Sequence, residues 1–106
     1  MDIIAWVETL HLYPTEYRKW RERLGPDDAA HVRRRLERLA EHGVELGLPN
    51  VKRLNLLLWE LRIPSGARLY FTVDGNLAIF IKYGSKDTQA RDISMAARRA
   101  QELNEQ

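Results

Sequence analysis

The chain has 106 residues and no cysteine, which excludes disulfides, thiolate metal sites and cysteine nucleophiles. Its length suits one domain, residues 1–106, and its 44% hydrophobic and 30% charged residues are typical of a globular protein outside the membrane. The N-terminal residues lack the pattern of a signal peptide, so we expect the protein in the cytoplasm.

The net charge of +2 is distributed unevenly along the chain. Residues 1–50 carry 8 Lys/Arg against 9 Asp/Glu, residues 51–91 carry 7 against 3, and residues 92–106 carry 2 against 3. The positive excess therefore belongs to the middle segment. Such a concentration of positive charge favours a polyanionic partner for that segment.

The first half of the chain predicts one strand and two helices. Asp2–Leu10 alternates well enough for a strand, and Pro14 begins a short helix with Tyr17, Trp20 and Leu24 at helical spacing. A second helix begins with Asp27-Asp28 and is predicted to end at Gly43. Its apolar stripe is Ala29, Val32, Leu36 and Leu39, and its solvated side carries Arg33, Arg34, Arg35 and Arg38.

The second half predicts a meander of three strands. The strand-like runs are Leu56–Ile63, Ala67–Val73 and Leu77–Tyr83, joined by turns at Pro64-Ser65-Gly66 and Asp74-Gly75-Asn76. Since side chains alternate across a strand, one face is predicted to be apolar and to pack on helices. That face holds Trp59, Leu61 and Ile63, then Ala67, Leu69, Phe71 and Val73. In the third run Leu77, Ile79, Ile81 and Tyr83 are predicted to share a face.

The opposite face of the meander is predicted to be open and basic. It gathers Arg62, Arg68, Tyr70 and Lys82, a suitable surface for an RNA phosphate backbone. A last helix follows residues 84–88, and its small-residue stripe is Ile93, Ala96, Ala97, Ala100 and Leu103. The order β-α-α-β-β-β-α predicts an α+β domain.

Three segments carry a family resemblance: Glu60-Leu61-Arg62, Gly66–Phe71 and Tyr83–Ile93. Tyr17 and Trp20 agree with the same family in kind and order. Together these residues resemble toxins of the RelE/ParE superfamily, and within it the phage-derived Gp49-like, HigB-like "addiction module killer" proteins. The resemblance covers almost the whole chain, and Tyr83–Ile93 is its most specific part.

This resemblance implies a RelE-like fold, with a small, mainly antiparallel twisted sheet packed on helices. It also implies a bacterial type II toxin that cleaves mRNA, often on the ribosome, without a metal or other cofactor. A cognate antitoxin, usually a helix-turn-helix protein, silences such a toxin. Operator DNA would be reached only through that antitoxin.

The sequence departs from the family pattern at two places. Ala67 stands where the family has a tyrosine before the strand arginine, so one aromatic contact is missing. Some relatives carry several basic residues in the strand before the Pro64-Ser65-Gly66 turn, whereas here only Arg62 is basic. These departures predict an attenuated or differently tuned nuclease.

Metal-free RNA cleavage needs a base for the ribose 2′-hydroxyl, cations for the phosphate and an acid for the leaving oxygen. By the resemblance, Arg68 is the phosphate-binding arginine, since a planar guanidinium matches phosphate oxygens. Lys86 is predicted to be a second phosphate contact or the acid. Tyr70 is the candidate base if the surrounding cations lower its pKa, with Glu60 as the alternative. Four more cations are predicted to contact RNA: Arg62, Lys82, Lys52 and Arg53.

Other interpretations of the same residues stay open. Arg62 and Arg68 could instead form ion pairs with Glu60 on a sheet that merely faces water. The histidines, His11, His31 and His42, lie outside the meander and are given no catalytic role, and no metal-ligand spacing is present. Two alternative functions are a ParE-like inhibitor of DNA gyrase that cleaves no RNA, and an inactive phage-derived remnant that binds only its antitoxin.

Overall fold

A computed structural model describes residues 8–46 and 50–106. Residues 2–7 of the first predicted strand, and residues 47–49 of the loop after the second helix, lie outside the described residues. Short 3-10 turns follow the second helix at Gly43–Leu46 and precede the third at Lys86–Thr88. The elements are β1 Glu8–His11, α1 Pro14–Glu22, α2 Pro26–His42, β2 Val51–Arg53, β3 Trp59–Arg62, β4 Ala67–Asp74, β5 Leu77–Ser85 and α3 Gln89–Asn104.

The strands form one open five-stranded sheet in the order β1-β5-β4-β3-β2. Strand β1 runs parallel to β5, whereas the other three neighbouring pairs are antiparallel. This mixed architecture confirms the predicted α+β class. The predicted element order lacked β2, whose three residues are too short to show a strand pattern without their pairing to β3.

Strand β3 begins three residues later than the run starting at Leu56 predicted. The amides of Leu54 and Asn55 both donate to the carbonyl oxygen of Leu58, at 2.8 and 3.3 Å, and so close a turn. The amide of Leu57 donates to the side-chain oxygen of Asn55 at 2.8 Å. Leu56, Leu57 and Leu58 therefore belong to the β2–β3 connection and not to a strand.

Two glycines make the predicted turns between the long strands possible. Gly66 has φ of 116° and Gly75 has φ of 61°, a region that L side chains rarely adopt. The amide of Gly66 donates to the carbonyl of Ile63 at 2.9 Å and closes the β3–β4 connection. Both turn predictions are confirmed.

Helices cover the sheet on both faces. On one face α1 and α2 pack against the side chains of alternate strand residues, with Val32 and Leu39 fully buried. The predicted apolar face is confirmed, since the strand residues of this cluster include Trp59, Leu61, Ile63, Ala67, Leu69, Phe71 and Val73.

The prediction of an open second face is wrong, because α3 lies across it. Ala96 and Ala100 of α3 are buried against Leu58, Tyr70 and Ile81 of the sheet side. The small-residue stripe of α3 lets the helix backbone approach the sheet closely. Tyr70 consequently lies in the core with none of its surface exposed.

The prediction that Leu77, Ile79 and Ile81 share a face with Tyr83 is also wrong, since these three residues lie on the α3 side of the sheet. The β4–β5 register shifts between Tyr70 and Phe71, which pair with Lys82 and Phe80 and leave Ile81 unpaired. The extra residue reverses the alternation of β5 beyond that point. Tyr83 therefore packs in the cluster under α1 and α2 rather than beside Ile81.

His11, at the end of β1, is stacked into an aromatic group that joins β1, α1 and β5. Its ring lies 3.7 Å from that of Tyr17, at an interplanar angle of 9°. Its Nδ1 lies 2.7 Å from the hydroxyl oxygen of Tyr83. A neutral imidazole that accepts this hydroxyl proton fits the site better than an imidazolium.

Lowering the pH from 8 to 5 is expected to reduce the free energy of unfolding by about 2 kcal/mol through His11. Burial, and after it the charge of Arg21, lowers the pKa of His11 from 6.5 to about 4. Above pH 6.5 the imidazole is neutral in both states. As the pH falls from 6.5 towards 4, the unfolded chain takes up the proton first, so stability is lost.

Urea denaturation at the two pH values measures this loss. The variant His11→Phe retains a ring beside Tyr17 and cannot titrate, so its stability should change less over the same range. An unaltered pH dependence in that variant would contradict the assignment to His11.

Candidate functional site

Three cationic residues meet at one end of the sheet. Arg62, at the end of β3, pairs with Arg68, near the start of β4, and Arg68 pairs with Gly84 of β5. The amide of Lys86 donates to the carbonyl of Gly66 at 2.8 Å, which places Lys86 beside the β3–β4 turn. Arg62, Arg68 and Lys86 are called the basic cluster below.

Arg62 is half-buried and paired with a fully buried carboxylate. Its Nε donates to Oε1 of Glu60 at 2.6 Å, and the other carboxylate oxygen accepts from Nε2 of Gln89 at 2.8 Å. Glu60 has none of its surface exposed, so its charge is compensated by these two donors. The arrangement ties β3 to the first residue of α3 and orients the Arg62 guanidinium.

The β3–β4 turn holds the guanidinium of Arg68. Its Nη1 donates to the carbonyl oxygens of Ile63 and Ala67, at 3.3 and 3.1 Å. Its Nε is buried and has no hydrogen-bond partner among the described residues. Arg68 is thus fixed at the strand end with part of its donor capacity unused.

Tyr70 lies two residues further along β4, beneath α3. Burial first, and the neighbouring Glu60 carboxylate second, raise the pKa of its hydroxyl above the usual range. The hydroxyl makes no hydrogen bond within the described part of the chain. The cations around it, Arg68 included, do not outweigh burial, so Tyr70 stays protonated at neutral pH.

Lys86 is the exposed member of the basic cluster. Its aliphatic carbons pass close to Gly66, since a Cβ added at Gly66 would lie 3.4 Å from Cγ and Cδ of Lys86. Across the 3-10 turn that holds Lys86, the amide of Ser85 donates a hydrogen bond to the hydroxyl oxygen of Thr88, and this hydroxyl donates to the carbonyl oxygen of Ser85. The ammonium group is therefore carried by a well-defined turn and reaches solvent.

The remaining predicted RNA contacts divide between the two faces. Lys82 pairs with Tyr70, and exposed Lys52 pairs with Glu60, so both lie on the face of the basic cluster. Arg53 pairs with Trp59 on the other face, and its guanidinium carbon lies 5.1 Å from the indole centroid. Arg53 is therefore not brought together with the others.

Asp92 is a buried acid of α3 that the sequence indicated only as an early-helix residue. It is 2% exposed, and its Oδ2 accepts a hydrogen bond from Thr88 at 2.5 Å. It lies so close to Gly84 that a Cβ there would be 2.8 Å from the Asp92 carboxyl carbon. Gly84 is thus the residue that lets α3 meet β5 beside the basic cluster.

Arg99 joins α3 to α1 and to the sheet. Its guanidinium donates to both carboxylate oxygens of Glu16, at 2.6 and 3.0 Å, and to the carbonyl of Ile81 at 2.7 Å. It also lies 4.0 Å from the centroid of the Tyr13 ring. Its partner Glu16 has its pKa lowered, chiefly by the hydrogen bond from Arg99.

Replacing Arg99 by alanine is expected to cost about 2 kcal/mol of unfolding free energy, because three hydrogen bonds from one charged group are lost. Thermal and urea denaturation measure the loss. Arg98, the exposed neighbour on the same helix, provides the matched control, and Arg98→Ala should be nearly neutral. Equal stability of the two variants would contradict the role of Arg99.

The described residues contain neither a candidate metal site nor a membrane-spanning helix. Within residues 8–46 and 50–106 no group of three or more His, Cys, Asp or Glu side chains is placed to hold a metal ion. Over the same residues no helix is long and apolar enough to cross a bilayer.

Comparison with known families decides the assignment. The model of the phage-derived Gp49-like protein family (DUF891) matches residues 19–101, which include every member of the basic cluster. The chain belongs to the Gp49-like family. This family is part of the RelE/HigB-like toxin group, as the sequence motifs predicted. A search of the curated proteins finds no significant match to this Gp49-like chain.

Proposed function

We propose that this Gp49-like protein is the toxin of a type II toxin–antitoxin pair, with a RelE-like fold, and that it cleaves mRNA on the ribosome. Membership of the Gp49-like family supports a toxin–antitoxin identity. The observation that carries the nuclease proposal is the basic cluster, in which the backbones of Arg62 and Arg68 are paired and Lys86 adjoins the same turn.

The proposed reaction is attack of a ribose 2′-hydroxyl on its own phosphorus. The 2′-hydroxyl gives up its proton to a base and a bond forms from its oxygen to phosphorus, while the bond to the 5′-oxygen breaks and that leaving oxygen receives a proton. Arg68 would bind the phosphate oxygens, since its guanidinium is held in place by backbone carbonyls. Exposed Lys86 would stabilise the developing charge or donate the proton, with Arg62, Lys82 and Lys52 contacting the RNA backbone.

The proton-accepting role is the part of the proposal that the buried residues support least. A base must be ionised and must reach the 2′-hydroxyl, whereas Tyr70 is buried with a raised pKa. Glu60 is equally buried and already accepts from Arg62 and Gln89. We therefore propose that the protein acts mainly by positioning the phosphate and stabilising its charge. The catalytic role predicted for Tyr70 stays a prediction.

The proposed partner is a cognate antitoxin of the helix-turn-helix class. An acidic segment of that antitoxin would cover Arg68 and Lys86 and so prevent RNA from reaching them. Replacing both residues by alanine and measuring the affinity of the complex tests this directly. Unchanged affinity would mean that the antitoxin docks on another surface.

The experiment for the proposed function is 5′-end mapping of mRNA in a reconstituted translation reaction with the purified protein, with and without ribosomes. New ends that require ribosomes are expected. New ends without ribosomes would make the protein a free nuclease. Intact mRNA at concentrations of the protein that arrest growth would refute the proposed nuclease activity.

A second candidate function follows from the burial of Tyr70 and Glu60, which takes both predicted bases out of contact with solvent. A non-nucleolytic inhibitor of DNA gyrase on the same scaffold needs no base. It predicts a DNA damage response in cells that express the protein, together with intact mRNA. An inactive remnant would produce neither effect.

A further inference from the structure

A cleft of about 340 Å³ lies between α1 and α3, beside the final residues of β5. Helix α1 contributes one wall, and the start of α3 contributes the other. Four of the lining side chains are cationic, namely Lys19, Arg23, Lys82 and Arg91.

The two acids that line the cleft are already engaged. Glu16 accepts two hydrogen bonds from Arg99, and Asp92 accepts one from Thr88. Arg99 balances the charge of Glu16, whereas Thr88 is neutral and Asp92 keeps its charge. The two acids leave much of the cationic charge uncompensated.

The cations themselves are available to a ligand. Within the described part of the chain, the side chains of Lys19, Arg23 and Lys82 make no hydrogen bond or ion pair, and Arg91 approaches Asp92 only at 3.9 Å. The charge of Lys82 contributes, after Arg99, to lowering the pKa of Glu16, which places it towards the α1 wall. Four cations around one concave surface attract a polyanion.

An aromatic residue held in a fixed position also lines the cleft. The indole Nε1 of Trp20 donates to the carbonyl oxygen of Gly84 at 3.1 Å, and its ring centroid lies 5.4 Å from that of Tyr83. Grooves for single-stranded nucleic acid combine cations along the backbone with aromatic rings that stack on bases. Cations together with a held indole favour such a strand over a simple anion.

The cleft adjoins the basic cluster. Gly84 and Ser85 line it, and Gly84 pairs directly with Arg68 while Ser85 precedes Lys86. A strand whose phosphate lies at Arg68 and Lys86 would therefore have the cleft next to it. The geometry joins the two surfaces into one path.

We propose that this cleft binds the phosphodiester backbone of single-stranded RNA next to the bond that is cut, with a base against Trp20. The proposal rests on the proposed function, because the strand is taken to be the substrate. It adds Lys19, Arg23, Arg91 and Trp20 to the residues that contact RNA.

The test is the affinity of a fluorescently labelled RNA of about six nucleotides, carrying 2′-O-methyl groups throughout, measured by anisotropy at several salt concentrations. Such an RNA has no free 2′-hydroxyl and cannot be cleaved, so binding is measured apart from chemistry. The double variant Lys19→Ala/Arg23→Ala removes two exposed cations four residues apart, one on α1 and one at its C-terminal cap. Its matched control, Arg34→Ala/Arg38→Ala, removes two exposed cations at the same spacing on α2.

The α1 double variant is expected to bind roughly tenfold more weakly, and the slope of log K against log salt should fall by about 1.4, which is two lost phosphate contacts. The control should bind like the wild-type protein. Unchanged affinity of the Lys19→Ala/Arg23→Ala variant, or an equal loss of affinity in the control, would overturn the proposal that the cleft binds RNA. A protein that binds this RNA through Lys19 and Arg23 but cuts no mRNA supports the cleft and refutes the nuclease.

Discussion

Replacing Gly84 by alanine is expected to destabilise the protein by about 3 kcal/mol or more. The new Cβ would lie 2.8 Å from the carboxyl carbon of Asp92 and 2.9 Å from the hydroxyl oxygen of Thr88, distances that real Cβ atoms essentially never show. Asp92 is 2% exposed and cannot turn into solvent without leaving its hydrogen bond to Thr88. The start of α3 must therefore move away from β5.

Denaturation by urea measures this loss of stability. Two further variants test whether the clash with Asp92 is its cause. Gly25→Ala is the matched control, because nothing lies within 4 Å of a Cβ added at Gly25. Adding Asp92→Ala to Gly84→Ala removes the carboxylate that clashes and should restore part of the stability. A Gly84→Ala variant as stable as the wild-type protein would show that α3 does not press on β5 at this point.

If the protein is the proposed nuclease, replacing Lys86 by alanine is expected to slow mRNA cleavage about a hundredfold, as the loss of one group that stabilises the transition-state charge does in other enzymes. The fold should be unaffected, since Lys86 is exposed and only its aliphatic carbons approach Gly66. The measurement is the rate at which new 5′ ends appear in the translation reaction. Melting temperatures of the two proteins establish that both are folded.

Arg33→Ala is the control for this loss of charge, because Arg33 is an exposed cation on α2, away from the basic cluster. It should cleave mRNA at the wild-type rate. Full activity of Lys86→Ala would place the reaction outside the basic cluster. Equal loss in both variants would mean that overall charge, and not this site, controls the rate.

The helices and turns could be predicted from the sequence because their signals are local. Proline at the start of α1, the apolar stripe of α2 and the glycine-containing turns at Gly66 and Gly75 each act within a few residues. The apolar face of β3 and β4 was equally predictable, since strict alternation assigns their side chains. Glu60-Leu61-Arg62 and the motif before α3 also indicated the family.

The covered second face could not be predicted, because its cause is long-range. Arg68 and Tyr70 alternate with apolar residues as on an open face, and nothing local shows that Ala96 and Ala100 pack against Tyr70. The bulge that separates Tyr83 from the face of Ile79 and Ile81 arises from pairing between two strands, which one sequence does not reveal. The buried roles of Glu60 and Asp92 likewise depend on contacts with residues far along the chain or on the next turn of α3.

Because helices occupy both faces of the sheet, the positions that build the interior and the positions available to a ligand are almost separate sets. Residues in the middle of the strands, such as Leu69 and Phe80, are fully buried, whereas Lys86 and the nearby cations lie at one end of the sheet. Substitutions of the exposed cations at that end therefore cost little stability. Lineages of this protein can diverge in what they recognise while the same interior is retained, and an engineer can vary the end residues as a library without rebuilding the fold.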